Sequence, residues 1–375
     1  MKIAFYNIQN IFHRHIDLVA RYRDENRSRW IAEFETLLTQ SERTQKQYDR
    51  MRILSHFLEF DSDGQIPYFT IRNTMGQLRI RKGLDGEMFK ASHLTHWEGW
   101  AKVDSLPINE IAIRNKAKVI KEVDPDILVV LEVEDRASLV NFNRHFLSSM
   151  KNSSYREIVF LGTNDPFGRG IGVMAKDGFD LESIRTHVND LDGEDKPVLD
   201  VDLQEYRFRS SSGNCLDLLC THFINTSGHL DTFKESQNRQ SEYIAGLLSR
   251  RQRDLSIHQI FMGTLNAPMY SSSIAPIFKE TLLRDITKHP NFMGDLDKGK
   301  DAGYFRLGAY KMGVNIQQRD YLMLSKELFG TVESCGLVRK GMWFKKQPQW
   351  DIYQSITSER DAASEHPLLW CQFPI

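Results

Sequence analysis

The feature that most constrains the fold is an apolar run, Ile127-Leu128-Val129-Val130-Leu131, that follows the helix-stopping sequence Asp124-Pro125-Asp126. A short, continuous apolar run bounded by turn residues is typical of a β-strand buried on both faces. The segment before it, 108–123, has the apolar spacing of a helix. One face would carry Ile111, Ala112, Ala117, Val119 and Ile120, while Arg114, Lys116, Lys118 and Lys121 would point outwards. A helix leading into a buried strand predicts a mixed α/β protein.

Similar short runs recur along the whole chain. Strands are predicted at Lys2–Tyr6, Ile127–Leu131, Glu157–Leu161, Ile171–Ala175, Leu216–Cys220, Gln259–Met262, Tyr321–Leu324 and Leu368–Phe373. Helices are predicted at Asp24–Thr39, Thr44–Phe57, Ile108–Val123, Ala137–Met150 and Thr232–Ser249. Because no internal repeat or Pro/Gly/Ser-rich linker interrupts the pattern, we expect one main domain over residues 1–375.

A long segment, at about 14–107, separates the first strand from the helix at 108–123. Its pattern predicts two charged helices and then a hairpin, with Tyr68–Arg72 and Leu78–Lys82 flanking a loop that contains Gly76. We interpret it as an insertion into the domain. A lid, a specificity element and a surface for a partner are equally compatible with such an insertion near a site.

Composition excludes several classes of protein. With 41% hydrophobic and 26% charged residues the chain has the composition of an ordinary globular protein. The 49 Lys and Arg residues are balanced by 50 Asp and Glu residues, so any contact with nucleic acid must be local. The four cysteines have no CxxC spacing, which predicts reduced thiols. Without a signal peptide or a long apolar run, we expect a soluble, cytoplasmic protein with no membrane association.

Residues suited to acid, base or metal chemistry flank most of the apolar runs. They are Asn7, Glu132, His222, Asn266, Asp320 and the triplet Ser364-Glu365-His366. In α/β proteins the ends of strands are where sites are assembled. Oxygen ligands without sulfur favour Mg²⁺ or Mn²⁺. A divalent ion beside histidines is suited to the hydrolysis of phosphate esters, so the pattern predicts a phosphodiesterase centre.

These motifs, taken in order, resemble those of the endonuclease/exonuclease/phosphatase superfamily of DNase I-like proteins. They are Tyr6-Asn7-Ile8-Gln9-Asn10, Leu131-Glu132-Val133, Asn164-Asp165 with Arg169-Gly170-Ile171, Thr221-His222-Phe223, Gly263-Thr264-Leu265-Asn266, Arg319-Asp320-Tyr321 and Ser364-Glu365-His366. The resemblance extends from one end of the chain to the other. It implies a four-layer α/β sandwich in which two mixed β-sheets are flanked by helices.

The resemblance also implies a role for each matched residue. Glu132 and Asn7 match the metal-binding glutamate and its neighbouring asparagine, and Glu365 is a further expected ligand. Arg169 and Asn164 are expected at the substrate phosphate. The expected catalytic residues are His222, His366 with its partner Asp320, Asn266 and Thr264.

Two positions depart from the family pattern. Thr264 stands where the family has an aspartate that activates water, and a hydroxyl cannot accept that proton at neutral pH. Loss of a general base typically costs about 10²–10⁴ in rate. Glu365 replaces the aspartate of the family's Ser-Asp-His. Either the site is rebuilt around carboxylates such as Glu134 or Asp165, or the chain is a weak or inactive member.

The function expected from these motifs is a divalent-metal-dependent phosphodiesterase, most simply a nuclease. Two alternatives remain open, a module that binds phosphate or nucleic acid without turnover and a phosphomonoesterase. The basic and aromatic segment 339–346, with Trp350, has a composition suited to stacking on nucleotides. Tryptophans packed in the core beside solvated lysines would explain it equally well.

Overall fold

The structure is a computed structural model that describes residues 1–15, 25–38, 40, 42–58, 69–75, 98–103, 105–148, 155–224, 229–251, 258–294, 318–343 and 350–374. The chain divides into two compact units. Unit 1 comprises Met1–Ile11 and Asn109–Ile375, and unit 2 comprises Phe12–Ile108.

The strands of the described residues are β1 (Lys2–Asn7), β2 (His13–His15), β3 (Phe69–Met75), β4 (Glu98–Val103), β5 (Ser105–Pro107), β6 (Ile127–Val133), β7 (Glu157–Leu161), β8 (Gly170–Ala175), β9 (Phe179–Thr186), β10 (Leu203–Ser210), β11 (Cys215–His222), β12 (His258–Thr264), β13 (Arg284–Asp285), β14 (Phe292–Met293), β15 (Asp320–Leu324), β16 (Ser334–Val338) and β17 (Leu368–Gln372). The α-helices are α1 (Glu25–Leu38), α2 (Gln45–Phe57), α3 (Glu110–Val123), α4 (Arg136–Phe142), α5 (Leu230–Arg251), α6 (Ala275–Lys279) and α7 (Lys326–Gly330). A π-helical turn, Asn143–Leu147, continues α4.

Unit 1 contains two mixed sheets. The first has the strand order β14-β16-β17-β1-β6-β8-β7, and the second has the order β13-β15-β12-β11-β10-β9. Each sheet has a parallel pair at its centre, β1 with β6 and β11 with β12, and these pairs lie between antiparallel neighbours. The carboxyl ends of the two parallel strands in each pair therefore lie together, as they do in α/β proteins with sites at strand ends.

The core of unit 1 is apolar and lies between the two sheets. Phe5 and Val129 of the first sheet share one buried cluster with Leu218 and Met262 of the second. On its outer face the second sheet packs against α5 and α6 in another buried cluster. The first sheet is covered by α3, beside β16 and β17, and by α4, beside β6 and β7. The four-layer α/β sandwich expected from the sequence is confirmed.

The close approach of α4 to the first sheet requires a small residue in β8. A Cβ atom added to Gly172 would lie 2.7 Å from Leu139 of α4 and 3.0 Å from Val130 of β6. Both neighbours are fully buried. Because interiors are close-packed, a larger residue at this position would push the helix away from the sheet.

The predicted strands of unit 1 are all present, each within two residues of its predicted ends. The structure corrects the predicted faces of α3 at two positions. Ile111 is exposed, and Lys116, expected to point into solvent, is fully buried. Its ammonium group donates to the backbone carbonyls of Ile8, at 2.6 Å, and of Ala363. Hydrogen bonds to two carbonyl groups replace the water that a buried ammonium group loses.

The described residues of unit 2 form two helices and two strand pairs. Helices α1 and α2 are joined by a bidentate ion pair between Arg50 and Glu33, at 2.7 and 2.8 Å, and by ring packing of Trp30 on Phe57. Strand β2 pairs with β5, and β3 pairs with β4, both in antiparallel register. The sequence placed the partner of Tyr68–Arg72 at Leu78–Lys82, which lies outside the described residues, whereas the structure pairs Phe69–Met75 with Glu98–Val103.

Candidate functional site

The ends of five strands bring most of the predicted site residues of unit 1 together. Asn7 is the last residue of β1, and Glu132 lies at the end of β6, the parallel neighbour of β1. In the second sheet, His222 pairs with Thr264 and Thr264 pairs with Asp320 in the register of the strands. A hydrogen bond of 3.3 Å from Asn7 Nδ2 to Thr264 Oγ1 connects the two sheets. The site therefore lies where the two sheets meet at the strand ends.

Glu132 reaches the site through an irregular backbone. The register of β6 against β8 shifts between Leu131 and Val133, and Glu132 itself has a φ of 60°. A non-glycine residue in the left-handed region typically costs about 1–2 kcal/mol, and such residues are concentrated at functional sites. The backbone carbonyl of Glu132 accepts a hydrogen bond of 2.7 Å from Asn10 N, which holds this conformation in place. The irregularity turns the carboxylate toward Asn7, whose Nδ2 donates to Oε1 at 3.1 Å.

Arg169 is the cation of the site. Its Nη1 donates to Glu132 Oε2 at 2.6 Å, and its Nε donates to Asp165 Oδ2 at 2.6 Å. The guanidinium group lies between two carboxylates, and its side chain is only 9% exposed. Burial alone would raise the pKa of Glu132, but Arg169, followed by the two histidines and the Asn7 hydrogen bond, lowers it to about 2. Glu132 is therefore ionised and paired at neutral pH.

His366 is held by Asp320. Its Nδ1 lies 2.9 Å from both carboxylate oxygens of Asp320, and both side chains are nearly fully buried. The hydroxyl group of Thr264 donates to Asp320 Oδ1 at 2.7 Å. Because a carboxylate can only accept, Nδ1 of His366 carries the proton in this pair and Nε2 is left as the basic nitrogen.

His222 is buried beside Glu132. Its Nε2 lies 3.4 Å from Glu132 Oε1, and the residue is 3% exposed. Burial lowers the pKa of His222 to about 4, with Arg169 and His366 adding to the effect and Glu132 partly offsetting it. The ring is therefore neutral at pH 7, which suits it to hydrogen bonding rather than to balancing charge.

Three predicted residues have other neighbours. Asn266, with a φ of 52°, donates from Nδ2 to the carbonyl group of Phe223 at 2.8 Å. Asn164 is exposed and donates to the carbonyl group of Val188. Glu365 contributes backbone contacts, since its N–H donates to Gln9 Oε1 at 2.8 Å. No hydrogen bond joins the carboxylate of Glu365 to the described residues of the cluster.

Two further residues support the cluster, and only Ser364, which belongs to the predicted Ser364-Glu365-His366 motif, is marked in the sequence. Ser364 donates to the backbone carbonyl of Asn7 at 2.7 Å and accepts from His366 N at 3.1 Å. Lys116 binds the carbonyls of Ile8 and Ala363, which adjoin Asn7 and Ser364 in the chain. These contacts hold the end of β1 against the loop that carries His366. In the helical pattern of α3, Lys116 is indistinguishable from its solvated neighbours.

Both carboxylate oxygens of Glu132, the residue expected to bind a divalent ion, already face nitrogen atoms of the protein. Oε2 of Glu132 accepts from Arg169, and Oε1 accepts from Asn7 and lies beside His222. Within the part of the chain that the structure describes, no three His, Cys, Asp or Glu side chains are grouped so as to hold a metal ion. Mg²⁺ requires near-octahedral oxygen ligands at about 2.0–2.1 Å. The residues in this arrangement do not fit the Mg²⁺ or Mn²⁺ ion predicted from the sequence.

Fold and site together define a two-sheet α/β sandwich with a buried cluster of carboxylates, histidines and one arginine at its strand ends. The sequence matches no protein-family model and no curated protein. Solved structures similar to the chain include the human Nocturnin catalytic domain with bound sulfate, with 15% identity and a TM-score of 0.47 over 71% of this chain and 88% of that one. An endonuclease/exonuclease/phosphatase from Bacteroides vulgatus has 14% identity and a TM-score of 0.46 over 70% and 91%. A mannosyl-6-phosphatase from Bacteroides thetaiotaomicron has 11% identity and a TM-score of 0.44 over 71% and 92%.

The remaining expectations concern cysteines and membranes. All four cysteines are free thiols, and Cys220, Cys335 and Cys371 are buried. Among the described helices, none combines the length and the apolar character needed to cross a membrane.

Proposed function

We propose that this protein is a hydrolase of phosphate esters and a member of the endonuclease/exonuclease/phosphatase superfamily, with phosphodiester bonds of nucleic acid as its substrate class. The observation that carries the proposal is the buried pair formed by Asp320 and His366, which hydrogen bonds through Thr264 and Asn7 connect to Glu132, the partner of Arg169. A histidine whose Nδ1 is fixed by a carboxylate presents a basic Nε2, the arrangement used for general acid–base catalysis. In this role His366 takes a proton from the attacking water.

Arg169 supplies the group that would bind the phosphate. Its Nε and Nη1 are committed to Asp165 and Glu132, while Nη2 has no hydrogen-bond partner among the described residues. Guanidinium N–H groups form strong, directional hydrogen bonds with phosphate oxygens. The two carboxylates fix the orientation of the guanidinium group, so its free edge is pre-organised. This supports a role for Arg169 in placing the phosphate beside His366.

A second candidate function, binding without turnover, is favoured by one contact. The hydroxyl group of Thr264 donates to Asp320 Oδ1 at 2.7 Å and accepts from Asn7 at 3.3 Å. Thr264 therefore links Asp320 to Asn7 and does not act as a base. If His366 does not take over that role, the site binds a phosphate group and releases it unchanged.

The test is hydrolysis of plasmid DNA, single-stranded DNA, RNA, bis(p-nitrophenyl) phosphate and p-nitrophenyl phosphate by the wild type and His366→Ala. Loss of a general acid–base group lowers the rate by about 10²–10⁴. The proposal is supported if the wild type cleaves the diesters and His366→Ala cleaves them more slowly by this factor. Faster cleavage of the monoester identifies a phosphomonoesterase.

The control variant is His145→Ala, which changes an exposed histidine of the same unit and should leave the rate unchanged. Each reaction is run with Mg²⁺, with Mn²⁺ and with EDTA, because the metal requirement implied by the family resemblance stays a prediction. Binding of the same nucleic acids without any cleavage would contradict the hydrolase and favour the second candidate.

A further inference from the structure

Glu132 already has a positively charged partner within the protein. Arg169 Nη1 lies 2.6 Å from Oε2, while Asn7 Nδ2 lies 3.1 Å and His222 Nε2 lies 3.4 Å from Oε1. Both carboxylate oxygens therefore face nitrogen atoms. The side chain of Glu132 is 10% exposed, so little water competes for these contacts.

Arg169 is itself anchored on the side away from Glu132. Its Nε donates to Asp165 Oδ2 at 2.6 Å, and the carboxylate of Asp165 is 1% exposed. Asp165 Oδ1 accepts from the backbone of Phe167, and the guanidinium group lies 5.3 Å from the centre of the Phe167 ring. A guanidinium group held by two buried carboxylates and an aromatic ring is a fixed feature of the site rather than a mobile surface charge.

We infer that Arg169 is an internal cation that takes the place of a divalent metal ion at Glu132, so that the protein as folded does not bind Mg²⁺ or Mn²⁺ there. The inference rests on the proposed function only for the identity of the site. It concerns which cation neutralises Glu132, and this is measurable without turnover.

Competition for the same oxygens is the physical basis. A divalent ion that binds Glu132 must displace the guanidinium N–H from Oε2, which would leave Arg169 buried with Asp165 as its one anionic partner. Like charges would then lie close together in a site with little water, where their repulsion is strong. A second carboxylate would offset this repulsion, but Thr264 is neutral and Asp320 is committed to His366 and Thr264. The metal ion therefore competes at a disadvantage.

The test is direct binding of Mn²⁺ alone, followed by electron paramagnetic resonance, to the full chain and its variants. We expect wild type to bind no more Mn²⁺ than Glu132→Gln. Arg169→Ala should bind Mn²⁺ at least about tenfold more tightly than wild type, because a charge-assisted hydrogen bond to Glu132 no longer opposes it. The gain should disappear in the double variant Arg169→Ala/Glu132→Gln.

A matched control is Arg207→Ala, which frees Asp217 from a bidentate pair of 2.7 and 2.8 Å elsewhere in the same unit. This variant should not gain Mn²⁺ binding. An equal gain in Arg207→Ala, or equal affinities of wild type and Arg169→Ala, would overturn the inference. Either result would leave the hydrolase proposal standing, since that proposal is judged by His366→Ala.

A variant without Arg169 has two buried carboxylates beside each other and risks poor folding. Arg169→Met, which keeps the length and packing of the side chain, is therefore measured in parallel with the same expectation. The wild type provides a test that needs no such variant, because a ligand that binds the folded state raises the unfolding temperature. A rise on adding Mn²⁺ that is present in wild type and absent in Glu132→Gln would overturn the inference.

Discussion

At the scale of single residues, Thr264 is the position where the sequence departs most from the family pattern that its motifs resemble, and the structure gives this residue definite contacts. Its hydroxyl group joins Asn7 to Asp320, so the residue connects the two sheets at the site. An aspartate at 264 would put a second carboxylate next to Asp320, with no cation between them. A neutral hydroxyl group at 264 therefore suits the neighbouring Asp320 and Asn7 better than a carboxylate would.

Thr264→Asp should destabilise the protein more than Thr264→Asn, its neutral counterpart of nearly the same shape. Two adjacent buried carboxylates cannot both ionise, so the pKa of the introduced group rises above its ordinary value of about 3.9. Ionisation then favours the unfolded chain as the pH rises above about 4. At pH 7 we expect the free energy of unfolding of Thr264→Asp to be about 2–4 kcal/mol lower than that of Thr264→Asn. Denaturant unfolding of both variants at pH 4 and pH 7 measures it. A difference between them that does not grow with pH would contradict this account.

The sequence indicated which side chains lie together at the site better than it indicated the residues that support them. Asn7, Glu132, His222, Asp320 and His366 could be predicted to lie together because each is within two residues of the end of a strong apolar run. The roles assigned to them stay predictions. The burial of Lys116 could not be predicted, because it depends on two carbonyl groups that are distant in the chain.

At the scale of elements, strands β9 and β10 and helix α5 are joined by a polar cluster outside the site. His187, which directly follows β9, is 1% exposed, with Nδ1 2.5 Å from Asp190 and Nε2 2.6 Å from Glu205 of β10. From α5, Tyr243 donates to Asp190 and Arg251 pairs with Glu205. Burial alone would lower the pKa of His187, but the hydrogen bonds to the two carboxylates outweigh it and raise the pKa above 6.5.

The contribution of His187 to stability should therefore depend on pH. A histidine with a raised pKa stabilises the folded state fully below its unfolded value of 6.5, and the effect is lost as the pH rises through the folded pKa. The pKa values of Asp190 and Glu205 are lowered, so their contribution is lost as the pH falls below their ordinary values of 3.8 and 4.5. The cluster should stabilise most between about pH 4.5 and 6.5.

The measurement is the free energy of unfolding of wild type and His187→Gln from pH 5 to pH 9. The difference between them should be largest near pH 5–6 and shrink at higher pH. His145→Gln, at an exposed position, is the control. A difference that is constant over this range would show that His187 acts through packing alone.

Strand β10 also shows why some strands were not predicted from the sequence. Strand β10 has charged residues at Glu205, Arg207 and Arg209, which are unusual in a strand of a sandwich core. Arg207 lies directly opposite Asp217 of β11 and forms a bidentate pair with it. An oppositely charged residue on the neighbouring strand stabilises a charged strand. Such a pair cannot be identified from the sequence before the register of the two strands is known.

At the scale of the whole molecule, the mixed α/β class could be predicted because the central strands are continuous apolar runs, which are typical of strands buried on both faces. The division into two sheets was implied only by the resemblance of the motifs to the endonuclease/exonuclease/phosphatase superfamily. The short strands β13 and β14 could not be predicted from the sequence, because a strand of two residues has no hydrophobic periodicity. The pairing of β3 with β4 was not predicted, because β4 begins 23 residues after β3 ends and the sequence favours a nearby segment as the partner of a strand. The segment it favours, Leu78–Lys82, lies outside the described residues, so that pairing stays a prediction.

Residues 12–108 should be dispensable for the folding of unit 1. The apolar cluster between the two sheets contains none of the residues of this segment that the structure describes. Its ends are adjacent, since Ile108 N donates to the carbonyl group of Phe12 at 2.7 Å and His13 pairs with Pro107. A linker of about four Gly and Ser residues therefore spans Ile11 to Asn109 without strain.

We expect the shortened chain to unfold cooperatively, with a calorimetric enthalpy of roughly 0.7 kcal/mol per residue near 60 °C. A broad transition without this enthalpy would mean that unit 2 is required for the fold.

Hydrolysis by the shortened chain then separates the three interpretations of the segment. Unchanged cleavage of bis(p-nitrophenyl) phosphate with loss of DNA cleavage identifies a specificity element, because only the large substrate needs added contacts. Loss of both activities in a folded chain indicates a lid that completes the site, and retention of both leaves the segment as a surface for a partner.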